Sequence, residues 1–438
     1  MSPLIRTIGR ALRNGWDLVT SPHPRSRLDG MHQRGSAGRD IGRCCLGAAV
    51  FLTSFQLTGE GPVSLPSPSA SLYNPARIVA PPSGFVPTVP KGFRVSVFAS
   101  GFEEPRWLAV APNGDVFVSD SAAGRIVVLP DPSRQTPAKT RDVFAEHLSL
   151  PFGIAFRGDF IYVAEQNAVD RFRFDRRTSR RLGEKEQLFA LPEAMISNAP
   201  RIYPHWTRSL AFSQDGKLLF VSVGTKSNVS LENDPARAVV LVCDPDARSC
   251  RVYARGLRNA VGIAVDPATG HLWADVNERG DLGDDLPPDY FTHVREGGFY
   301  GFPFSYIGGH VDLRVKPQRP DLVAKSIVPD VLLPAHSSPL QCVFYEGRQF
   351  PRTYWHGAFI AEHGSTNRSR KIGYAVVFVP FRGGKPTAGA ELFASGWVPD
   401  PARAEAYGRP VGVAVAKDGS LLVSDDGAKV IWRVFYQP

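Results

Sequence analysis

Methionine is scarce in this chain, 3 in 438 residues, and cysteine is little commoner, with 5. No two cysteines stand in a CxxC pair and no Cys/His spacing suits zinc, so a structural zinc domain is excluded. There is no GxGxxG, GxSxG or P-loop signature, which argues against a nicotinamide enzyme, a serine hydrolase and a nucleotidase. No helical apolar period recurs along the chain, so a parallel α/β fold lacks its crossover helices. Long apolar runs are missing too, apart from the 14 residues 44–57, CCLGAAVFLTSFQL. A basic stripe with interleaved aromatics is also absent. The net charge of +9 is largely local, because residues 1–43 hold eight Arg, no Lys and three Asp and leave about +4 for the rest. Nucleic acid is therefore not an expected partner.

What the chain does have is punctuation. It carries 41 Gly and 38 Pro with 43% hydrophobic residues, a composition that suits many short strands joined by turns. The Arg-rich start followed by the apolar run has the layout of a secretory signal, with Met31 as a more ordinary start. An uncleaved membrane anchor is the other reading of the same segment, and both place the bulk of the chain in the periplasm or outside the cell. Residues 1–70 thus read as a leader, 71–90 as a Pro/Ser-rich linker and 91–438 as the folded domain. Cys44 and Cys45 fall in the apolar run. Cys243 and Cys250 flank the turn-rich DPDARS, so a hairpin would bring them within disulfide range. Cys342, in LQCVFYEG, reads as a small buried hydrophobe.

One pattern recurs: a Pro, Thr or Arg start, a short apolar run, a Gly turn, then a strand ending near Asp, Glu or Gly. Examples are PRWLAVAPNGDVFVSD from Pro105, PFGIAFRGDFIYVAE from Pro151 and PVGVAVAKDGSLLVSDD from Pro410. Thr207 and Arg258 begin two more copies, and Pro339 begins a weaker one. The common apolar site is occupied by Ala109, Ala155, Ala211, Ala264, Val343 and Ala414, at successive gaps of 46, 56, 53, 79 and 71 residues. Repeats of this length, each with several short strands, predict an all-β, six-bladed β-propeller. The strand-like GFRVSVFAS ahead of the first copy and the strand-like C-terminus predict closure of the ring by pairing of the two ends.

In a propeller the loops that lead into the innermost strands meet at one end of the channel. Those loops hold Arg106, His205, Arg208, Arg258, Asn259, His336 and Arg409. Each alone reads as a channel-lining residue; several converging polar groups predict a site.

Between residues 256 and 303 the sequence reads GLRN, then NERG with GDD, then GGFYGFP. With PHWTRSLAF before it, and HGSTNRS and AYGRPVGVAV after it, this resembles the soluble glucose/sorbosone dehydrogenase family over about residues 90–438. The likeness is greatest to the sorbosone-dehydrogenase-like branch. That family is built on six-bladed propellers that use pyrroloquinoline quinone (PQQ) and calcium. The resemblance implies that His205 is the catalytic base and that Arg258 and Asn259 contact the quinone. It implies that the backbone carbonyls of the Gly280-Asp281 turn hold calcium, and that Arg409 meets the quinone carboxylates. Asn367 and Arg368 fall near another quinone-binding position. The chain departs from the glucose-oxidising pattern at Val261, where those members carry Gln, and has no lysine between 363 and 368.

The chemistry of those residue types agrees. Oxidising an anomeric hydroxyl removes a proton and a hydride. Histidine suits the proton and an organic cofactor must take the hydride. Arginine forks suit a tricarboxylate, and calcium takes oxygen ligands. The expected reaction is oxidation of an aldose or sorbosone-like sugar aldehyde to its lactone or acid, with electrons passed to a quinone or cytochrome. In the acidic cluster Glu278, Asp281, Asp284, Asp285 and Asp289, calcium binding and a solvated loop are both open. Asp284 and Asp285 are candidates for a second, structural ion. Two other functions share the fold: a calcium-dependent hydrolase of the lactonase kind, and a binding propeller without catalysis.

Overall fold

The computed structural model describes residues 63–133, 142–193 and 205–438. The apolar run at 44–57, Met31, Cys44 and Cys45 lie outside the described residues. Six four-stranded antiparallel sheets account for nearly all regular structure. Helix among the described residues is limited to the turns Pro320–Val323 and Arg352–Tyr354, and no helix there is long and apolar enough to cross a membrane.

The innermost strands are Pro105–Val110, Ile154–Arg157, Leu210–Phe212, Ala260–Val265, Pro339–Phe344 and Pro410–Val415. Each touches the next, and the last touches the first, which closes the ring. Every residue of the repeating apolar site falls on one of these six strands. The ring is latched as the sequence predicts. Phe93–Ser100 pairs antiparallel with Val430–Tyr436 and becomes the outer strand of the sixth blade.

The second strands explain the continuous apolar runs. Val116–Asp120, Leu219–Val223, Leu272–Val276, Ala358–Glu362 and Leu421–Asp425 are buried at every position, because each blade is covered on both faces by its neighbours. The core accordingly divides into six apolar clusters, one at each blade interface. In the cluster between the first two blades Phe117 meets Phe144, Phe156 and Phe174, the first two edge-on at 5.2 Å.

The long gap after Ala264 is an insertion in the fourth blade. Between Pro288–His293 and Val331–Ala335 the chain makes an excursion that includes the small hairpin of Ser305–Tyr306 and His310–Val311. Cys243 and Cys250 face one another across the Val239–Cys243 and Cys250–Arg255 pair and form a disulfide, and Cys342 is buried in the cluster between the fourth and fifth blades.

Acids at the ends of second strands set the loops that approach the channel. Asp120 Oδ1 accepts the amides of Glu103 and Glu104 at 3.0 and 2.7 Å, and Asp425 Oδ1 accepts that of Arg409 at 2.7 Å. Glu165 takes the amide of Ser149 in the second blade. In these three blades the recurrent Asp or Glu of the repeat fixes the loop that leads into the innermost strand.

Candidate active site

His205 sits in the loop leading into the innermost strand of the third blade. Its Nδ1 is 3.0 Å from the carbonyl oxygen of Thr225 and 2.7 Å from the Thr225 hydroxyl. That hydroxyl donates to the Ser227 carbonyl at 2.6 Å, so its hydrogen is already committed. The histidine is then the donor, Nδ1 carries the proton and Nε2 keeps a lone pair. Burial pushes the imidazole pKa well below 6.5, and the positive charge of Arg258 adds to the effect. Arg208, fully buried, fixes the loop by donating to the His205 carbonyl at 2.6 Å and the Thr207 carbonyl at 2.9 Å.

Gly224 permits this placement. A Cβ there would lie 2.8 Å from His205 Cβ and overlap the side-chain oxygen of Asn259. Asn259 Oδ1 is itself buried without a hydrogen-bond partner among the described residues. An acceptor left so beside a histidine is an opening for a ligand that donates.

Arg258 ties the third blade to the fourth. Its guanidinium donates to the carbonyls of Asn228, Asn277 and Glu278 at 2.9, 3.1 and 2.9 Å, and to Asn228 Oδ1 at 3.1 Å. Asn228 also accepts the Gly280 amide at 2.9 Å, and its Nδ2 donates to Asp281 Oδ2 at 2.9 Å. Asp281 has a left-handed backbone, φ 67°. Among the described residues the contacts to the Gly280 and Asp281 carbonyls are long, 3.5 Å from Asn228 Nδ2 and 3.3 Å from Arg314 Nη1. Asn367, buried, lies against Gly280, where its Nδ2 would be 2.6 Å from an added Cβ.

Arg409 lies across the channel, before the sixth innermost strand. It donates to the His363 carbonyl from Nε and to the Gly364 carbonyl from Nη2, both at 3.2 Å. Asp426 gathers His363 Nε2 at 3.0 Å and Arg106 Nη1 at 2.5 Å. Glu362, which precedes His363 in the chain, is buried and pushed up to about 8, first by burial and then by the charge of Asp289.

The structure thus brings His205, Arg258, Asn259, Gly280, Asp281 and Asn367 into one linked group, with Arg409 at the same end of the ring. Arg368, Asp284 and Asp285 form a separate rim. Arg368 donates to the Asp284 carbonyl and, at 2.6 Å, to Asp285 Oδ1, and Ser369 holds the Asp284 carboxylate through its amide and hydroxyl. Their side chains are thereby occupied. Asp289 is a backbone brace that accepts the amides of Glu278 and Ser338, each at 2.8 Å. His336 Nε2 pairs with the Gly283 carbonyl at 2.8 Å. Among the described residues no cluster of three or more His, Cys, Asp or Glu could hold a metal.

Three participants escape a reading of the sequence. Thr225 and Asn228 lie in TKSNVSLEN, which looks like an ordinary polar loop. Lys371 lies three residues beyond the window without lysine; it is buried, its Nζ donates to the Asn74 and Arg368 carbonyls, and it feels the charge of Arg409. Val261 points into the apolar cluster with Trp107 and Phe152.

Residues 87–286 and 321–437 match the family described as TrAA12-like. An uncharacterized protein of Borreliella burgdorferi is 28% identical over 361 residues, covering 80% of this chain and 90% of that protein. A pyrroloquinoline quinone-dependent pyranose dehydrogenase of Coprinopsis cinerea is 24% identical over 417 residues, covering 79% of this chain and 54% of the relative. The chain therefore spans about half the length of that curated relative. Among solved structures, the iodide form of a Trichoderma reesei carbohydrate-active enzyme of family AA12 superposes with a TM-score of 0.69 at 20% identity, over 83% of this chain and 100% of that one. The holo PQQ domain of the Coprinopsis cinerea pyranose dehydrogenase gives 0.68 at 22% identity, over 81% of this chain and 98% of that one. These likenesses confirm the six-bladed fold. Matching over most of the propeller, the chain belongs to the TrAA12-like family.

Proposed function

We propose that this protein is a PQQ-dependent sugar dehydrogenase that oxidises an aldose or a sorbosone-like sugar aldehyde to its lactone or acid. The observation that carries the reading is the His205 arrangement: Nδ1–H held by Thr225, Nε2 with a lone pair, and an unpartnered Asn259 oxygen beside it. A relative with a PQQ-dependent pyranose dehydrogenase name supports the substrate class.

The residues fit an anionic quinone. Arg258, Asn259, Asn367 and Arg409 would hold it, with Arg368 at the rim, and the carbonyls of Gly280 and Asp281 would hold calcium. When bound, PQQ supplies the hydride acceptor that no protein side chain provides. The chain's own residues do the rest. His205 Nε2 takes the substrate hydroxyl proton, from the anomeric hydroxyl of an aldose or from the hydrate that an aldehyde forms with water. Arg258, rigidly held by four acceptors, keeps a fixed positive charge beside the reacting centre, where charge that needs no reorganisation is most effective. The reading includes an exported setting, which the Cys243–Cys250 disulfide suits, and a quinone or cytochrome acceptor.

The test is reconstitution. The full chain is given PQQ and calcium, and dye reduction is followed with aldoses, sorbosone and simple aldehydes. Cofactor-dependent reduction that a chelator removes is the expected result. Failure to bind PQQ at high concentration would overturn the reading and leave a lactonase-type hydrolase or a binding propeller.

A further inference from the structure

The end of the segment read as a leader and the Pro/Ser-rich linker after it are laid in part across the site end of the ring, in fixed register. The Ser69 amide donates to the Leu282 carbonyl at 3.0 Å, and Ser71 Oγ accepts the Gly283 amide at 2.8 Å. Gly283 has no room for a Cβ, which would collide with the Ser69 hydroxyl. Next, the Asn74 amide donates to the Thr366 carbonyl at 2.7 Å. The Asn74 side-chain Nδ2 donates to the carbonyls of Arg368 and Ser369 at 3.3 and 3.2 Å. The Asn74 carbonyl in turn accepts from Lys371 Nζ. Finally the Arg77 and Val79 amides donate to the Ala404 and Ala406 carbonyls, both at 2.9 Å.

The strap therefore visits three loops in order. The first follows Gly280 and Asp281, the second carries Asn367 and Arg368, and the third precedes Arg409. Asn74 is its centre, because it alone grips the second loop by amide, side chain and carbonyl. Lys371 and Arg409 are like charges in the same region, and burial followed by the Arg409 charge lowers the Lys371 pKa. The Asp284 carboxylate offsets part of that repulsion, and an anionic ligand beside the two cations would offset more.

We propose that Asn74 is a positioning residue for the cofactor side of the site, and that the strap Ser69–Val79 pre-sets the loops at 281–285 and 366–371 for an anionic ligand. The proposal rests on the PQQ reading above. An isolated propeller latch needs only Phe93–Ser100, so the strap's register over these loops serves the site rather than ring closure.

The experiment uses the full chain and titrates PQQ by absorbance, in parallel with amide hydrogen exchange of the cofactor-free protein. Asn74→Ala removes two donors to the second loop. It is expected to weaken PQQ binding about tenfold. It is also expected to speed exchange at the amides of Ser369 and Lys371, which are held by Asp284 Oδ1 at 3.0 Å and by the Pro401 carbonyl at 2.7 Å. Asn74→Asp, similar in size but without the donors, should reproduce both effects. Arg77→Ala breaks only the exposed Arg77–Glu405 ion pair at 2.7 Å and should change neither. Unchanged PQQ affinity and unchanged exchange in Asn74→Ala, whatever its melting temperature, would overturn the proposal. If the unsubstituted chain does not bind PQQ, the functional reading fails, and the exchange comparison still decides whether Asn74 sets the loop.

Discussion

His205 Nδ1 and the Thr225 carbonyl oxygen are 3.0 Å apart, and this contact determines which nitrogen of the imidazole is available for chemistry. With the Thr225 hydroxyl hydrogen given to Ser227, the Nε2 lone pair follows from hydrogen-bond bookkeeping alone.

His205→Ala should lower turnover by about 10²–10⁴-fold, the range for a lost general base. PQQ affinity should stay within about threefold, below half of the 1.4 kcal/mol that equals a tenfold change. Single-turnover kinetics and an optical titration measure the two separately. Equal loss of both would mean that the imidazole shapes the pocket instead.

A base works when deprotonated, so its pKa sets the acid limb of the kcat/KM profile. Burial and then the Arg258 charge lower the His205 pKa well below 6.5. Activity should therefore persist as the pH falls through 6.5 and decline only at more acidic pH. A limb at or above 6.5 in a pH–rate profile would contradict this placement of the histidine.

Gly224→Ala should cost more activity than stability. The added Cβ would sit 2.8 Å from His205 Cβ and press on Asn259, so the histidine loop must move. A misplacement of about 1 Å can cost about 10²-fold in rate. Kinetics and a thermal melt on the same sample give the comparison.

Arg409→Gln keeps a hydrogen-bonding side chain and removes the charge. Hydrogen bonds to charged groups contribute about 1.5–3 kcal/mol, so PQQ should bind about ten- to a hundredfold more weakly. The effect should shrink at high salt in an optical titration, because the partner is a charged carboxylate.

The Cys243–Cys250 disulfide closes a short hairpin far from the histidine loop in function but within the same blade. Replacing both cysteines by serine should lower unfolding stability by about 2 kcal/mol, with turnover unchanged. Denaturant unfolding measures the first and dye reduction the second.

Much of the architecture is legible because a propeller repeats its own physics. Ala109, Ala155, Ala211, Ala264, Val343 and Ala414 share a place in the sequence pattern because each lies on an innermost strand of its own blade. Asp120, Glu165 and Asp425 recur because in their blades they accept the amides of an approaching loop. The six-bladed ring follows from the first regularity, and its end-to-end latch from the strand-like segments at the two ends of the domain.

The site is legible only in part. His205, Arg258, Asn259 and Arg409 announce themselves by standing next to innermost strands. Asn228 does not, because its role depends on Gly280, 52 residues away. Asn74 is still less visible: its partners Thr366, Arg368 and Ser369 are backbone carbonyls more than 290 residues distant, and backbone acceptors leave no mark in side-chain type. A Pro/Ser-rich composition describes a segment that has no core of its own, and it does not reveal whether such a segment is docked.

The central claim is that His205 takes a proton from a sugar bound beside PQQ. It is tested most directly by reduction of bound cofactor in a single turnover, followed by absorbance, in the unsubstituted chain and in His205→Gln at matched cofactor occupancy. The account requires rapid sugar-dependent reduction in the former and a rate lower by about 10²-fold or more in the latter. Equal rates at equal occupancy would contradict it.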